Sequence, residues 1–410
     1  MNYKRIAKNI ISSFNKRIFI KRRKTLDVSN IRKVLIISLY FRGDFLFHTP
    51  LIKLLSGILP YARIDVWTKS RNLELTQNNP DIGKVLVFDD VKTAAYNDHV
   101  KLNIAGKFSF LRKLRNSNYD LIIDLTGHIP TALYSYFSKA GYSIGINNYG
   151  FGAAYDKFVD LQPASTKGHL IMKYLDVLRR GLDIPDIQWK QMIANYGVKP
   201  VLIPSQKDIE SVNNILDDIS INNEKPLVVI HTTAGWKAKE WGRDNYSRLI
   251  EMLNHKNYEF IFIGDDRDKQ NFKNILENSG LKDVPKFNNH FLKLKFLEVA
   301  ELINKADVFV GSDSAPLHIA GAMDTPSVGI FGPTNPDFSN PIGAMHKTVY
   351  HKLLCSATDS MQYCTRNGGM TCPTIDCMKM VTPAQVMILI QELIIEYHGK
   401  KKNKNITGCL

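Results

Sequence analysis

Short apolar runs, each ended by a cluster of polar residues, recur along most of this chain. KVLIISLY (Lys33 to Tyr40), ARIDVWT, KVLVFDD and YDLIIDLTGH (Tyr119 to His128) make up a first series. Runs of this length, rich in Val and Ile, mark strands covered on both faces, as in parallel sheets. After the first run comes the turn FRGD and then HTPLIKLLSGIL, whose apolar spacing is helical. Strands alternating with helices at this pitch predict a doubly wound parallel sheet. A second series starts after the proline-containing stretch Pro185 to Pro204, with KPLVVIHTTAG, NYEFIFIGDD, ADVFVGSDS and TPSVGIFGPTNP. From Thr382, PAQVMILIQELIIEY reads as a closing helix. The fold class is therefore α/β, with Rossmann-like domains over 31–198 and 199–381. A leader, 1–30, precedes them, and a helix with a lysine-rich tail, 382–410, follows. Two such domains imply a cleft with ligands at the strand ends.

Composition narrows the class. Of 410 residues, 44% are hydrophobic and 23% charged, values of an ordinary globular protein. The net charge of +15 suggests nucleic acid until it is located. Residues 1–24 hold nine Lys and Arg and 397–410 hold four Lys, with no acid in either, which leaves +2 for the body. No basic groove is indicated, and no aromatic stacking motif is interleaved with the cations, so nucleic acid is not an expected partner. In the leader, Tyr3, Ile6, Ala7, Ile10, Phe14 and Ile18 recur at helical spacing. An apolar stripe flanked by cations suits an interfacial helix on an anionic membrane surface, a solvated leader being the alternative. With no signal-peptide core and no run long enough to span a bilayer, the expected location is cytoplasmic. Cys355, Cys364, Cys372 and Cys377 lack the CxxC spacing of zinc sites and read as part of a structured loop without metal.

Neither GxGxxG after a strand nor GxxxxGK[ST] occurs, which argues against dinucleotide-dependent dehydrogenases and P-loop enzymes. Three loops of the second half still carry the chemistry of a nucleotide diphosphate site. In HTTAGWKAKEW, Thr232 and Thr233 offer hydroxyls, and Lys237 and Lys239 offer charge for phosphates. In IGDDRD, Asp265 or Asp266 stands at a strand end, where a carboxylate takes ribose hydroxyls. In GSDSAPLHIAGA, Pro316 suits a first helical turn whose unpaired N–H groups bind an anion. Taken singly, Asp313 reads as a helix cap, His318 as a packed core histidine and the lysines as solvated surface. Three such loops at consecutive strand ends favour a binding site.

These residues resemble the glycosyltransferase family 9 heptosyltransferases, which build the inner core of lipopolysaccharide. VLIISLYFRGDFLFHTPLIKLLSGILPYARIDVWT resembles that family's first strand, Gly-Asp turn and first helix. YDLIIDLTG is similar to its mid-domain strand, and HTTAGWKAKEW to its donor phosphate loop. GSDSAPLHIAGAMDTPSVGIFGPTNP is the nearest likeness, and the cysteine-rich segment before TPAQV also has a counterpart. The likeness spans about residues 31 to 395.

The resemblance implies a GT-B fold, its two Rossmann-like domains facing each other across a cleft. It implies metal-independent, inverting transfer from a nucleotide sugar, with ADP-heptose as donor and a lipid-linked core oligosaccharide as acceptor, at the inner face of the cytoplasmic membrane. No cofactor is implied beyond the donor. By motif, Asp44 would be the general base, and Lys239 would neutralise the diphosphate. Thr232 and Thr233 would bind phosphate oxygens, and Asp313 would hold sugar hydroxyls. Ser314 and Ala315 would present backbone N–H groups, His318 would line the donor site, and Asp265 or Asp266 would take the ribose. Tyr40-Phe41-Arg42 is bulky where many members have small polar residues, and Thr93 to Phe110 is a long insertion, which together imply a different acceptor. Two other readings keep the fold: another nucleotide sugar as donor, or a nucleotide-sugar-binding module without turnover.

Overall fold

The computed structural model describes residues 25–91, 103–161, 168–284, 289–343, 345–359 and 361–407, with positions 11, 12, 15, 19 and 287 besides. The stripe read over residues 3–18 therefore lies almost wholly outside the described residues, as do positions 93–102 of the insertion. Two compact units divide the chain: Met1–Gln162 with Leu170–Val201, and Pro163–His169 with Leu202–Leu410.

In the first unit, β1 (Lys33–Ile37), β2 (Arg63–Thr68), β3 (Val85–Val87), β4 (Leu121–Asp124), β5 (Tyr142–Ile146) and β6 (Lys157–Val159) form one parallel sheet, ordered β3-β2-β1-β4-β5-β6. Helices on both faces strip the central strands of water, and Val34, Leu35, Ile36 and Ile37 are fully buried. β-Branched residues suit that setting, which explains the unalternated apolar runs. The order reverses between β1 and β4, where Ile37 lies opposite Asp124. Such a reversal opens a crevice at the carboxyl ends of the strands.

The second unit repeats the plan. β7 (Leu227–His231), β8 (Glu259–Ile263), β9 (Phe291–Leu292), β10 (Val308–Ser312), β11 (Ser327–Phe331) and β12 (His346–Tyr350) are parallel, ordered β12-β11-β10-β7-β8-β9. Its reversal falls between β7 and β10, with His231 opposite Gly311. The closing helix Pro383–Thr407 belongs to this core, where Val386, Ile390 and Leu393 are fully buried.

The segment after β1 departs from the sequence reading. The residues FRGD do not form a turn ahead of the helical stretch HTPLIKLLSGIL, because the helix runs Arg42–Ile58 with Phe41 as its extended N-cap. Gly43 and Asp44 are thus helical. Burial of Phe45, Leu46, Leu51 and Ile52 outweighs the poor helix propensity of Gly in the first turn. Pro50, inside the helix, cannot donate to the Leu46 carbonyl, and Thr49 Oγ1 donates there instead at 2.7 Å. In the insertion, helix Ile104–Ser117 is capped by Asn103, whose side chain accepts from Gly106 N at 2.8 Å.

The turn after β4 fixes a buried carboxylate. Gly127 has φ +61°, and a Cβ there would stand 2.4 Å from the Ile146 carbonyl oxygen, so only glycine fits. That conformation lets Asp124 Oδ1 accept from Thr126 N (2.9 Å) and Gly127 N (3.0 Å), while Tyr155 Oη donates to Oδ2 at 2.6 Å. Burial raises the Asp124 carboxyl above its ordinary value, and hydrogen bonding from the Thr131 side chain, then from Tyr155 and the two amides, offsets part of the rise. Tyr155→Phe should cost about 1–3 kcal/mol in urea unfolding at pH 7, by removing one of the hydrogen bonds to the buried carboxylate. A group raised by burial destabilises only while ionised, so the deficit should narrow as the pH falls and Asp124 protonates. A pH-independent deficit would count against an ionised Asp124.

Candidate functional site

The crevice between β7 and β10 is bridged by a buried ion pair. Lys239 Nζ donates to Asp313 Oδ2 at 2.7 Å and to the Asp313 carbonyl at 2.8 Å. Both side chains are about nine-tenths buried. The pair joins residues 74 positions apart, one on the loop after β7 and the other directly after β10.

Each partner is held by further contacts. Lys239 ends the 3-10 turn Lys237–Lys239, and its ammonium lies 4.1 Å above the Trp236 ring centroid. A cation on a desolvated indole face gains roughly 1–2 kcal/mol. Trp236 is anchored by its Nε1, which donates to the Gly368 carbonyl at 2.8 Å, and its ring meets Tyr363 edge-on. On the other side, Asp313 Oδ1 accepts from Ser339 Oγ at 3.2 Å and stands 3.6 Å from His318 Nε2. Burial would raise the Asp313 carboxyl, but the Lys239 charge and the contact with His318 outweigh it and hold the group well below the ordinary carboxylate range.

The other expected residues arrange themselves around this pair. Ser314 is the N-cap of helix Ala315–Ala322; Pro316 has no N–H and Leu317 N donates to the Ser314 carbonyl at 3.1 Å, so the first-turn amide left for a ligand is that of Ala315. Thr232 is buried, and its Oγ1 accepts from Asn271 Nδ2 at 3.3 Å. Lys237 is exposed, unlike Lys239, so the two lysines of this loop do not share one environment. Asp265 and Asp266 also separate. Asp266 is exposed and pairs with Lys293, whereas Asp265 pairs with Arg267 and its charge reaches His231.

Three residues escaped the sequence reading. Ser339 reaches the ion pair only through tertiary structure, and Trp236 reaches it locally, as the N-cap of the turn that carries Lys239. His231, the last residue of β7, places Nε2 3.3 Å from Thr233 Oγ1 and Nδ1 3.3 Å from Ser314 Oγ. Its signal was present, since a titratable residue ends the apolar run LVVI at a strand's carboxyl edge.

In the first unit, Asp44 is partly buried in the first turn of helix Arg42–Ile58, next to the crevice at the end of β1. Beside it, Tyr40 Oη donates to the Thr126 carbonyl at 2.8 Å and accepts from Asn148 Nδ2 at 3.3 Å. Burial first, then the Asp44 charge, push the Tyr40 phenol far above its ordinary value. The Tyr40 ring packs on His128 (5.5 Å), which packs on Tyr149 (5.0 Å), giving an aromatic edge to this crevice.

The four cysteine thiols are free and line one cavity of about 50 Å³ beside Gly332 and Pro333. Among the described residues, no three His, Cys, Asp or Glu side chains are grouped to hold an ion. Among those residues also, no helix is long and apolar enough to cross a membrane.

Comparison with known proteins matches residues 107–367 to glycosyltransferase family 9 (heptosyltransferase). That stretch contains every donor-loop residue named above, and Asp44 precedes it. Lipopolysaccharide heptosyltransferase 3 of Escherichia coli is 27% identical over 313 residues, which are 73% of this chain and 84% of that protein. The glycosyl transferase family 9 structure from Veillonella parvula has a TM-score of 0.73 at 17% identity, covering 92% of this chain and 100% of its own. The E. coli ADP-heptose lps heptosyltransferase II structure has a TM-score of 0.68 at 18% identity, covering 89% and 99%. Both structures share the fold of this chain, two parallel α/β sheets of the GT-B class.

The ion pair makes a stability prediction. Lys239→Met strands an ionised Asp313 in a dry site and should cost about 3–5 kcal/mol at pH 7. Without its cation the Asp313 carboxyl rises above its ordinary value, so stability is regained as the pH falls and the group protonates. Thermal unfolding of the variant should therefore shift upward from pH 7 to pH 5 relative to wild type, where Asp313 stays ionised. Parallel shifts in the two proteins would show that the pair is not buried as described.

Proposed function

Because this chain belongs to glycosyltransferase family 9 and is a glycosyltransferase, we propose that it moves a heptose from ADP-heptose onto a lipopolysaccharide core acceptor. The observation that carries this reading is the buried Lys239–Asp313 pair at the β7–β10 crevice. A fixed cation at a strand-end crevice, next to a helix N-terminus and two threonine hydroxyls, suits a nucleotide diphosphate. The heptosyltransferase names borne by its relatives support the sugar.

In this proposal Lys239 neutralises the charge that grows on the departing ADP as the glycosidic bond breaks. An ammonium already held in a dry site needs little reorganisation, which is where electrostatic stabilisation is most effective. Thr232, Thr233 and the backbone N–H groups of Ser314 and Ala315 bind phosphate oxygens. Asp265 takes the ribose hydroxyls, being the member of its pair whose charge reaches the crevice. Asp313 orients Lys239 as well as contacting the sugar, so its role is not purely one of holding sugar hydroxyls. His318 lines the donor site through its contact with Asp313.

Asp44 acts as general base on the acceptor hydroxyl, and attack opposite the leaving ADP inverts the anomeric centre. The aromatic edge formed by Tyr40, His128 and Tyr149 offers apolar faces for acceptor sugar rings. No cofactor beyond the donor enters, so transfer should continue in excess EDTA. The basic leader holds the enzyme to the anionic inner face of the cytoplasmic membrane, where a lipid-linked acceptor is presented.

Purified protein, ADP-heptose and a heptose-deficient core acceptor should give a product heavier by one heptose by mass spectrometry. Transfer only from UDP- or GDP-sugars would redirect the reading to another donor, and binding without product would leave a non-catalytic module. Asp44→Asn retains shape and polarity in the first helical turn but cannot take a proton. It should keep donor affinity within a few-fold while turnover falls by at least ~100-fold. Near-normal turnover would leave Asp44 as a helix-dipole partner worth about 0.3–1 kcal/mol and no more.

A further inference from the structure

His231 sits at the floor of the β7–β10 crevice with each ring nitrogen 3.3 Å from a hydroxyl: Nε2 from Thr233 Oγ1, on the loop after β7, and Nδ1 from Ser314 Oγ, across at the end of β10. Its own carbonyl accepts from Tyr246 Oη at 3.1 Å, which ties the strand end to helix Arg243–His255. A neutral imidazole carries one N–H and one bare nitrogen. Bridging two hydroxyls in that state, it must consume the hydrogen of one of them. Ser314 Oγ also donates to the Ser312 carbonyl at 3.2 Å, so its single hydrogen is committed there. Nδ1 therefore carries the ring hydrogen and donates to Ser314, and Nε2 accepts the hydrogen of Thr233.

The consequence falls on the ligand. With its hydrogen directed at Nε2, Thr233 presents only lone pairs to the crevice, which repel a phosphate oxygen. Protonation of Nε2 reverses this. The ring then donates to both hydroxyls, the Thr233 hydrogen is released toward the phosphate, and a positive charge appears beneath it. One proton from solvent makes the whole change, and no other bond forms or breaks.

We propose that His231 is a proton-linked anion-binding residue of the donor site, taking up a proton as a nucleoside diphosphate binds and turning the Thr233 hydroxyl toward it. The proposal rests on the donor reading given above. Without ligand, removal of the ring from water pushes its pKa down to about 4, while Asp268, first residue of helix Asp268–Asn278, and Asp265, in the loop after β8, pull the other way. The other charged or titratable groups around the crevice are Lys239 and Asp313, paired with each other, His318 in contact with Asp313, Arg267 paired with Asp265, and Lys237 and Glu240 in the loop after β7, the Glu240 carboxyl being raised by burial. A diphosphate adds negative charge on the open side of the ring, so the proton is favoured only with ligand in place.

Calorimetry of ADP binding in buffers of different ionisation enthalpy counts the protons exchanged. At pH 6 the wild type should take up about 0.5–1 proton more per ADP than His231→Gln, the titration of ADP itself being common to both. The excess should decline as the pH rises toward 8. Should His231→Gln fail to fold, wild type with ADP-ribose serves, since that diphosphate has no group titrating near neutrality; uptake should persist there. Binding with equal proton counts in wild type and variant, or with no uptake for ADP-ribose, would overturn the role of His231 and leave the donor reading standing. Absence of ADP binding would overturn both.

Discussion

A lysine and a carboxylate removed from water are tolerated only when geometry and further bonds compensate, because desolvation costs several kcal/mol per ion. The Lys239–Asp313 pair meets that condition by recruiting most of the second unit's crevice. Lys239 takes an oxygen from the Asp313 side chain, its carbonyl, and the Trp236 face. Asp313 takes Ser339 and His318. Trp236 in turn is held by Gly368 and Tyr363, which ties the loop carrying the cysteines to this edge of the sheet. The loops after β7 and β10 are thus set by one electrostatic requirement, met before any ligand arrives.

The two units share a topology but not a chemistry. Both reverse strand order next to their first strand, and both carry polar groups at that point. The first unit buries its carboxylate, Asp124, under a tyrosine and two backbone amides, and offers Asp44 beside an aromatic edge. The second buries a charge pair and offers hydroxyls and a helix N-terminus. In the proposed reaction the carboxylate and ring faces would serve the acceptor sugar, and the cation, hydroxyls and amides the diphosphate. The contrast follows from side chains alone, since the backbone plan is duplicated.

Much of this was legible in the linear pattern. The unalternated runs VLII, LIID, LVVI and VFVG each became a central strand, because burial on both faces leaves no reason to alternate. The polar residues after them became the site, because parallel strands all end on one edge. The helix start at Arg42 was not legible: Gly43 argues locally for a turn, and only packing of Phe45 and Leu46 overrides it. Lys239 and Asp313 are too distant in sequence for any local signal to pair them. Asp265 and Asp266, one position apart, are separated by which way each side chain leaves the strand end, not by residue type. His231 had a signal, a titratable residue closing an apolar strand, but its two hydroxyl partners come from different loops.

The central claim is that Lys239 and Asp313 act as one unit in holding the donor. A double-mutant cycle on ADP affinity tests it most directly, with wild type, Lys239→Ala, Asp313→Ala and the double variant measured by calorimetry. If the pair organises the site, each single change should remove much of what the other removes, with a coupling of about 1–3 kcal/mol and a double variant little weaker than either single one. Losses that add within about 0.5 kcal/mol would show that the two residues serve the ligand independently, and would contradict the account.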